Sequence, residues 1–202
     1  MTTRLFITDF DGTLLRSDRT LDKRNLETLE KLGRKNIVRV IATGRSLASF
    51  STVVISGLPV DYIIFSTGAG VQRFQDSEII RKVHLEPRAV SQACEILEAF
   101  RLDFMVHRTI PNNHMFAYWQ SNENNADFER RIELYKQFAI PLEKSAFNFG
   151  PATQLLAIVP ANKARATLDT IRRELGDFNV IQTTSPLDGE STWIEIFPLS
   201  VS

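Results

Sequence analysis

Three short runs of apolar and β-branched residues recur in the first third of the chain, and each stops at a glycine-bearing turn. Leu5-Phe6-Ile7-Thr8 runs into DFDGT, Ile37-Val38-Arg39-Val40-Ile41-Ala42 into TGR, and Tyr62-Ile63-Ile64-Phe65 into STGAG. Such short continuous runs read as strands buried on both faces of a parallel sheet. Between the first two, Leu26, Leu29 and Leu32 recur every three residues, with Lys23, Arg24, Glu27, Glu30 and Lys31 on the other faces. That spacing predicts an amphipathic helix, capped by Thr20 or Asp22 and stopped at Gly33. A second helix is predicted from Ser46, broken by Gly57-Leu58-Pro59. Parallel strands need crossover connections, and these are right-handed, so the opening third reads as α/β.

After Gly70 the texture changes. Val71 to Leu85 reads as a hairpin across Gln75-Asp76-Ser77, followed by a helix from Pro87 to Ala99. Strands are predicted at Phe104–His107, Met115–Trp119, Leu155–Val159 and Asn179–Thr183, with helices at Ala126–Phe138 and Asn162–Leu175. Hairpins mixed with helices predict an α+β module over 81–186, inserted into an α/β domain made of 1–80 and 187–202. The last strand, Thr192–Pro198, is assigned on this reading to the α/β domain. No internal repeat or low-complexity stretch is visible.

Composition narrows the function classes. Lysine plus arginine and aspartate plus glutamate both number 24, so the chain carries no net charge. Neutrality removes the electrostatic reason to expect nucleic acid or an anionic membrane as partner. Cys94 is the one cysteine, which rules out an intrachain disulfide and fits a reducing, cytoplasmic setting. The run LFI is too short for a signal-peptide core, and nothing approaches the roughly 20 apolar residues of a membrane helix. Phosphate-loop, dinucleotide and serine-hydrolase signatures are absent.

The chemistry is expected where the strands end. Ligands of open α/β sheets bind beyond the carboxyl ends of the strands, and glycine turns there let backbone N–H groups approach an anion. Asp9 and Asp11, one residue apart, place two like charges at that edge, which is unfavourable unless a cation meets them. A Mg²⁺ ion, which prefers carboxylate, carbonyl and phosphate oxygens, would neutralise the pair and let a phosphate dianion come near.

These residues carry a resemblance. LFITDFDGTLL and VIATGR resemble the first two motifs of the haloacid dehalogenase superfamily, mostly phosphatases that work through an aspartyl-phosphate. The segment after the third strand resembles the cap of its Cof-like branch, and EIFP the return strand of that branch. The resemblance covers essentially the whole chain and implies a Rossmann-like core with an α+β cap, acting on small phosphorylated metabolites such as sugar phosphates. It implies Asp9 as nucleophile, Asp11 as general acid–base, and Mg²⁺ held by the Asp9 side chain and the Asp11 backbone carbonyl. It also implies Thr43, by its hydroxyl, and Gly44, by its N–H, as holders of the phosphate.

The same resemblance calls for a lysine after the return strand and one or two further metal aspartates. EIFPLSVS reaches Ser202 without them. The expectation is a truncated or cleaved chain, inactive or nearly so in its 202-residue form, with a longer form active. The alternative is a catalytically impaired phosphate-binding or regulatory module. A receiver-domain reading fails because the third strand ends in Ser66-Thr67-Gly68 with no aspartate.

The remaining candidates have simpler readings. Thr43 could cap the helix from Ser46, alone or together with holding phosphate, and Arg45 reads as a helix-start salt-bridge partner. Thr67 to Gly70 reads as a tight turn. His107 and His114 lack a third zinc-type ligand, and Phe104, Phe116, Tyr118 and Trp119 read as sheet packing. Arg130 and Arg131 read as a solvated helix face.

Overall fold

The two textures of the sequence become two units, Met1–Lys82 and Val83–Ser202. The computed structural model describes residues 4–53, 57–121, 124–143, 149–161 and 164–201.

The first unit is a five-stranded sheet in the order β1-β2-β3-β4-β5. Strands β1 (Arg4–Asp9), β2 (Ile37–Ala42) and β3 (Tyr62–Phe65) run parallel, in a register that sets Asp9 beside Ala42 and Ala42 beside Ile64. Strands β4 (Gly70–Arg73) and β5 (Ile79–Lys82) return antiparallel as the predicted hairpin. Helix α1 (Lys23–Arg34) packs on β2; of the two candidate caps it uses Asp22, whose side chain accepts from Arg24 N–H.

Gly33 does not stop α1. It lies inside the helix, and a Cβ there would collide with the guanidinium of Arg39. That guanidinium cannot yield easily, because Nε and Nη2 both bind the Asp61 carboxylate, at 2.9 and 2.8 Å, and Nη1 reaches the Leu29 carbonyl. The fork holds the Asp61 carboxyl below the usual carboxylate range.

Strand β1 corrects the sequence reading. Its apolar residues are not buried on both faces: Leu5, Phe6 and Ile7 are 56%, 37% and 51% exposed. It stands at the end of the sheet, paired among the described residues only with β2. Helix α2 (Leu47–Ser51) is also shorter than predicted, and residues 54–56 lie outside the described residues.

The second unit is a six-stranded sheet in the order β10-β11-β9-β6-β7-β8. Its strands are β6 (Asp103–His107), β7 (Phe116–Trp119), β8 (Ala139–Pro141), β9 (Gln154–Val159), β10 (Phe178–Thr184) and β11 (Thr192–Pro198). Neighbours are antiparallel except β7 and β8. Helices α3 (Pro87–Ala99) and α5 (Ala164–Glu174) serve one face, where Val90, Cys94, Leu97 and Ile171 join Phe104, Leu155 and Ile194. On the other face Phe128 of α4 (Ala126–Leu134) packs with Met105, Phe116, Leu156, Ile158 and Trp193.

Here the structure corrects the assignment of 187–202 to the α/β domain. Strand β11 lies inside the second sheet, between β10 and β9, with Ile194, Ile196 and Phe197 at zero exposure. A strand apolar on both faces needs a partner on each edge and a layer on each side, and this sheet supplies them. Helix α4 ends at Leu134, short of the predicted Phe138, because the chain turns into β8. The predicted start of α5 at Asn162 lies outside the described residues.

Candidate active site

Parallel register brings the ends of β1, β2 and β3 to one edge of the first sheet, and the chain leaves each strand differently. After Asp9, the Phe10 carbonyl accepts from the N–H groups of Leu14 and Leu15 at 3.1 and 2.8 Å, folding 10–15 into a tight loop. Gly12 turns that loop at φ 76°, the left-handed region where a Cβ is strained. Phe10 anchors it, fully buried with its ring 4.8 Å from that of Phe50. The Thr13 hydroxyl donates to Asp9 Oδ2 at 3.1 Å.

Thr43, buried at the end of β2, ties two turns together. Its N–H donates to the Ile64 carbonyl and its Oγ accepts from Arg45 N–H at 3.1 Å. The same hydroxyl donates to Asp11 Oδ2 at 3.3 Å. Helix α2 is capped by Ser46, whose Oγ accepts from Ser49 N–H. The alternative reading of Thr43 as that cap is therefore incorrect.

Gly44 has no left-handed φ, and a Cβ there would meet only Thr67 Oγ1, at an ordinary 3.7 Å. Neither backbone conformation nor packing requires glycine at 44.

The turn after β3 closes the edge. Ser66 N–H donates to the Arg45 carbonyl at 2.8 Å and Thr67 N–H to the Thr43 carbonyl at 3.3 Å. Ser66 and Thr67 both take positive φ, 49° and 56°. For a β-branched threonine this backbone is costly, and such strain collects where surrounding structure imposes it. The segment set aside as a tight turn is thus bonded directly to the Thr43–Arg45 turn.

Sequence reasoning missed what meets the acidic pair. Arg45 Nε donates to both Asp11 oxygens, at 2.9 and 3.0 Å, and Nη2 to Oδ1 at 2.8 Å. Arg45 is a salt-bridge partner, as its place at a helix start suggests, but the carboxylate it meets is Asp11, inside the loop that follows β1. Its place beside Thr43-Gly44 was the available signal, but only the parallel register makes 11 and 45 neighbours.

The donor set suits a hard cation in part. Asp9 Oδ1 and the Asp11 carbonyl accept no hydrogen bond from the described residues, leaving two oxygens of the kind Mg²⁺ takes beside water and phosphate. The Asp11 carboxylate is engaged by Arg45. Among the described residues no group of three or more His, Cys, Asp or Glu could hold a metal ion.

In the second unit the polar groups are knitted into the core. Asp103 accepts from Ser121 N–H, Ser121 Oγ and Asn125 Nδ2 at 2.7, 2.9 and 2.8 Å. Asp127 accepts from Ser185 Oγ and Trp193 Nε1. His107 is buried, its Nδ1–H donating to the Asn113 carbonyl at 2.9 Å, and burial pushes its pKa down to about 3. Arg131 departs from the solvated-face reading: its guanidinium stacks 4.4 Å over Trp193 and 5.0 Å over Tyr135. Arg130 is exposed and donates to the Leu187 carbonyl. No described helix is long and apolar enough to cross a membrane.

Comparison with known proteins agrees with this architecture. Residues 6–202 match the family described as haloacid dehalogenase-like hydrolase. A phosphatase of the haloalkanoate superfamily from Bacteroides thetaiotaomicron superposes with TM-score 0.74 at 20% identity, covering 99% of this chain and 68% of its own. A protein from Thermotoga maritima gives 0.71 at 20% identity, covering 100% and 71%. A protein described as a subclass IIB sugar phosphatase gives 0.65 at 17% identity, covering 100% and 72%. At these identities the likeness is one of fold. None of the curated proteins matches the sequence.

Proposed function

The chain belongs to the haloacid dehalogenase-like hydrolases, and from that premise we propose that it is a phosphomonoesterase of small phosphorylated metabolites, sugar phosphates among them. The observation that carries the reading is the meeting of Asp9, Asp11 and Thr43 at the carboxyl ends of two parallel strands, with the Thr43 hydroxyl 3.3 Å from Asp11. A solved relative of this fold is described as a sugar phosphatase, which supports the substrate class. The neutral chain supports a small ligand rather than nucleic acid, and the single, buried Cys94 suits a reducing cytoplasm.

In this reading one carboxylate oxygen of Asp9, whose side chain Thr13 holds at Oδ2, attacks phosphorus. The ester P–O bond breaks as the Asp9 O–P bond forms, and Asp11 delivers a proton to the leaving oxygen. Asp11 then takes a proton from water, which attacks phosphorus and frees Asp9 and inorganic phosphate. Thr43 by its hydroxyl and Gly44 by its N–H hold the phosphoryl oxygens through transfer, where positioning and electrostatics supply most of the rate. Since nothing in the fold demands glycine at 44, close approach of a ligand to its N–H supplies a reason. Mg²⁺ would be held by the Asp9 carboxylate and the Asp11 carbonyl, where it would offset the negative charge gathered at the phosphate. The second unit is the cap of this reading, where choice of leaving group is encoded.

The test is phosphate release from a panel of sugar phosphates and p-nitrophenyl phosphate, with and without Mg²⁺, by the full-length protein and its Asp9→Asn variant, with the 202-residue chain, expected to be inactive or nearly so, measured alongside. Mg²⁺-dependent release that falls by at least about a thousandfold in Asp9→Asn is expected. Release unaffected by Asp9→Asn would sink the assignment. A phosphorylated ligand that binds but is never turned over would favour the binding module.

A further inference from the structure

The contact between Arg45 and Asp11 has more structure than a surface ion pair. Exposed pairs of long side chains are worth little, since each partner must be immobilised to meet the other. Here the guanidinium is already immobilised. Nη1 donates to Ser49 Oγ at 3.2 Å, and the guanidinium carbon lies 5.9 Å from the centre of the buried Phe10 ring. The backbone is held on both sides, Arg45 N–H donating to Thr43 Oγ1 and the Arg45 carbonyl accepting from Ser66 N–H. Tethers therefore come from the end of β2, from α2 and from the turn after β3. Asp11, by contrast, sits on an exposed loop with its side chain 46% exposed. Its carboxylate is held among the described residues by Arg45 and, at a longer 3.3 Å, by Thr43.

We propose that Arg45 is the positioning residue for Asp11. The guanidinium fork aims the carboxyl group that must meet the leaving oxygen, and it supplies a fixed positive charge beside an edge holding two aspartates. The inference rests on the phosphatase reading for its catalytic consequence and on the geometry of this loop for the contact. A planar fork is required: Nε spans both carboxylate oxygens while Nη2 reinforces one and Nη1 holds Ser49. A lysine ammonium at 45 could approach the carboxylate but could not hold it and Ser49 in this arrangement.

The experiment compares the full-length wild-type protein, Arg45→Ala and Arg45→Lys by steady-state phosphate release, with millimolar guanidinium chloride or sodium chloride of equal ionic strength added. The expected result is a kcat lowered about 10- to 100-fold in both variants, with KM little changed. Guanidinium, and not sodium chloride, should restore part of the kcat of Arg45→Ala. A raised KM with kcat intact would mean that Arg45 binds substrate, and unchanged kinetics that it does nothing; either overturns the proposal while leaving the phosphatase reading standing.

A second measurement is independent of turnover. The Arg45 Nε–H resonance of the wild-type chain should exchange slowly and collapse in Asp11→Ala. If no ester is hydrolysed, the phosphatase reading falls and this resonance decides the contact: its collapse in Asp11→Ala upholds the positioning, and its absence in the wild type overturns it.

Discussion

The two sheets of this chain are built from similar residues and used in opposite ways. In the second unit β6 is buried at every position and β9 at all but its first, and the polar side chains inside, Asp103 and Asp127, are surrounded by donors. In the first unit β1 is apolar yet open to solvent, and the polar residues crowd the carboxyl end of the strands, where Asp9, Asp11 and Arg45 remain accessible. A turn in a disfavoured backbone conformation, Ser66-Thr67, lies at that same end. One sheet concentrates on stability, with the Asp103 and Asp127 carboxylates met by donors under two helical layers. The other keeps charge, strain and exposure together at one edge, the combination chemistry requires and a core avoids.

The widest contrast should appear on truncating one leucine from each sheet. Leu155→Ala, at zero exposure in β9, should cost about 2–5 kcal/mol in chemical denaturation, while Leu5→Ala on open β1 should stay within about 0.5 kcal/mol. A large cost at Leu5 would mean that the β1 face is covered in solution and would erase the comparison.

Next in size is a pH effect confined to the second unit. His107 has its pKa lowered from 6.5 to about 3, chiefly by burial and then by the Arg131 charge. The unfolded chain takes up this proton below about pH 6.5 and the folded chain only near pH 3, so stability falls as pH drops through that window. The slope from this residue should approach about 1.4 kcal/mol per pH unit, and His107→Phe should flatten it. Equal slopes in wild type and variant would show that His107 is not the group responsible.

A smaller change of opposite sign is expected in the first unit. Thr67→Gly removes a β-branched side chain from left-handed backbone and should raise stability by about 1 kcal/mol, visible in the thermal midpoint. A residue held only for packing would lose stability instead.

The smallest effect separates site from scaffold. Gly44→Ala should change stability by no more than about 1 kcal/mol, because its φ is ordinary and the space is there. Phosphate binding, followed by calorimetry, should nonetheless weaken. If binding is untouched, Gly44 is not a phosphate residue.

Much of this was legible beforehand, for reasons visible in particular residues. Strands β2, β3, β9 and β10 and helix α3 follow from period and punctuation: Pro87 opens the helix, β2 and β3 stop at glycine-bearing turns, and Pro160 and Ser185-Pro186 follow β9 and β10. The aspartate pair and the TGR turn announced themselves because their residue types are unfavourable at a strand end unless a ligand or countercharge meets them. What escaped was long-range. Strand β11 pairs with residues far earlier in the chain, Ile196 opposite Leu155 and Trp193 opposite Ile158, and no local pattern states which sheet will receive it. Arg131 has the composition of a solvated helix face, and only the folded position of Trp193 turns it inward.

By itself, then, the sequence determined most of the elements, though not β8, and the chemical character of the DFDGT and TGR turns, because periodicity and turn chemistry act over a few residues. The tertiary structure decided which strand stands at an edge, which sheet holds Thr192–Pro198, and that the positive charge meeting Asp11 is Arg45. Those outcomes depend on pairing and register between segments distant in the chain. A parallel ladder aligning Asp9 with Ala42 brings the loops that follow together, a proximity that no local spacing encodes.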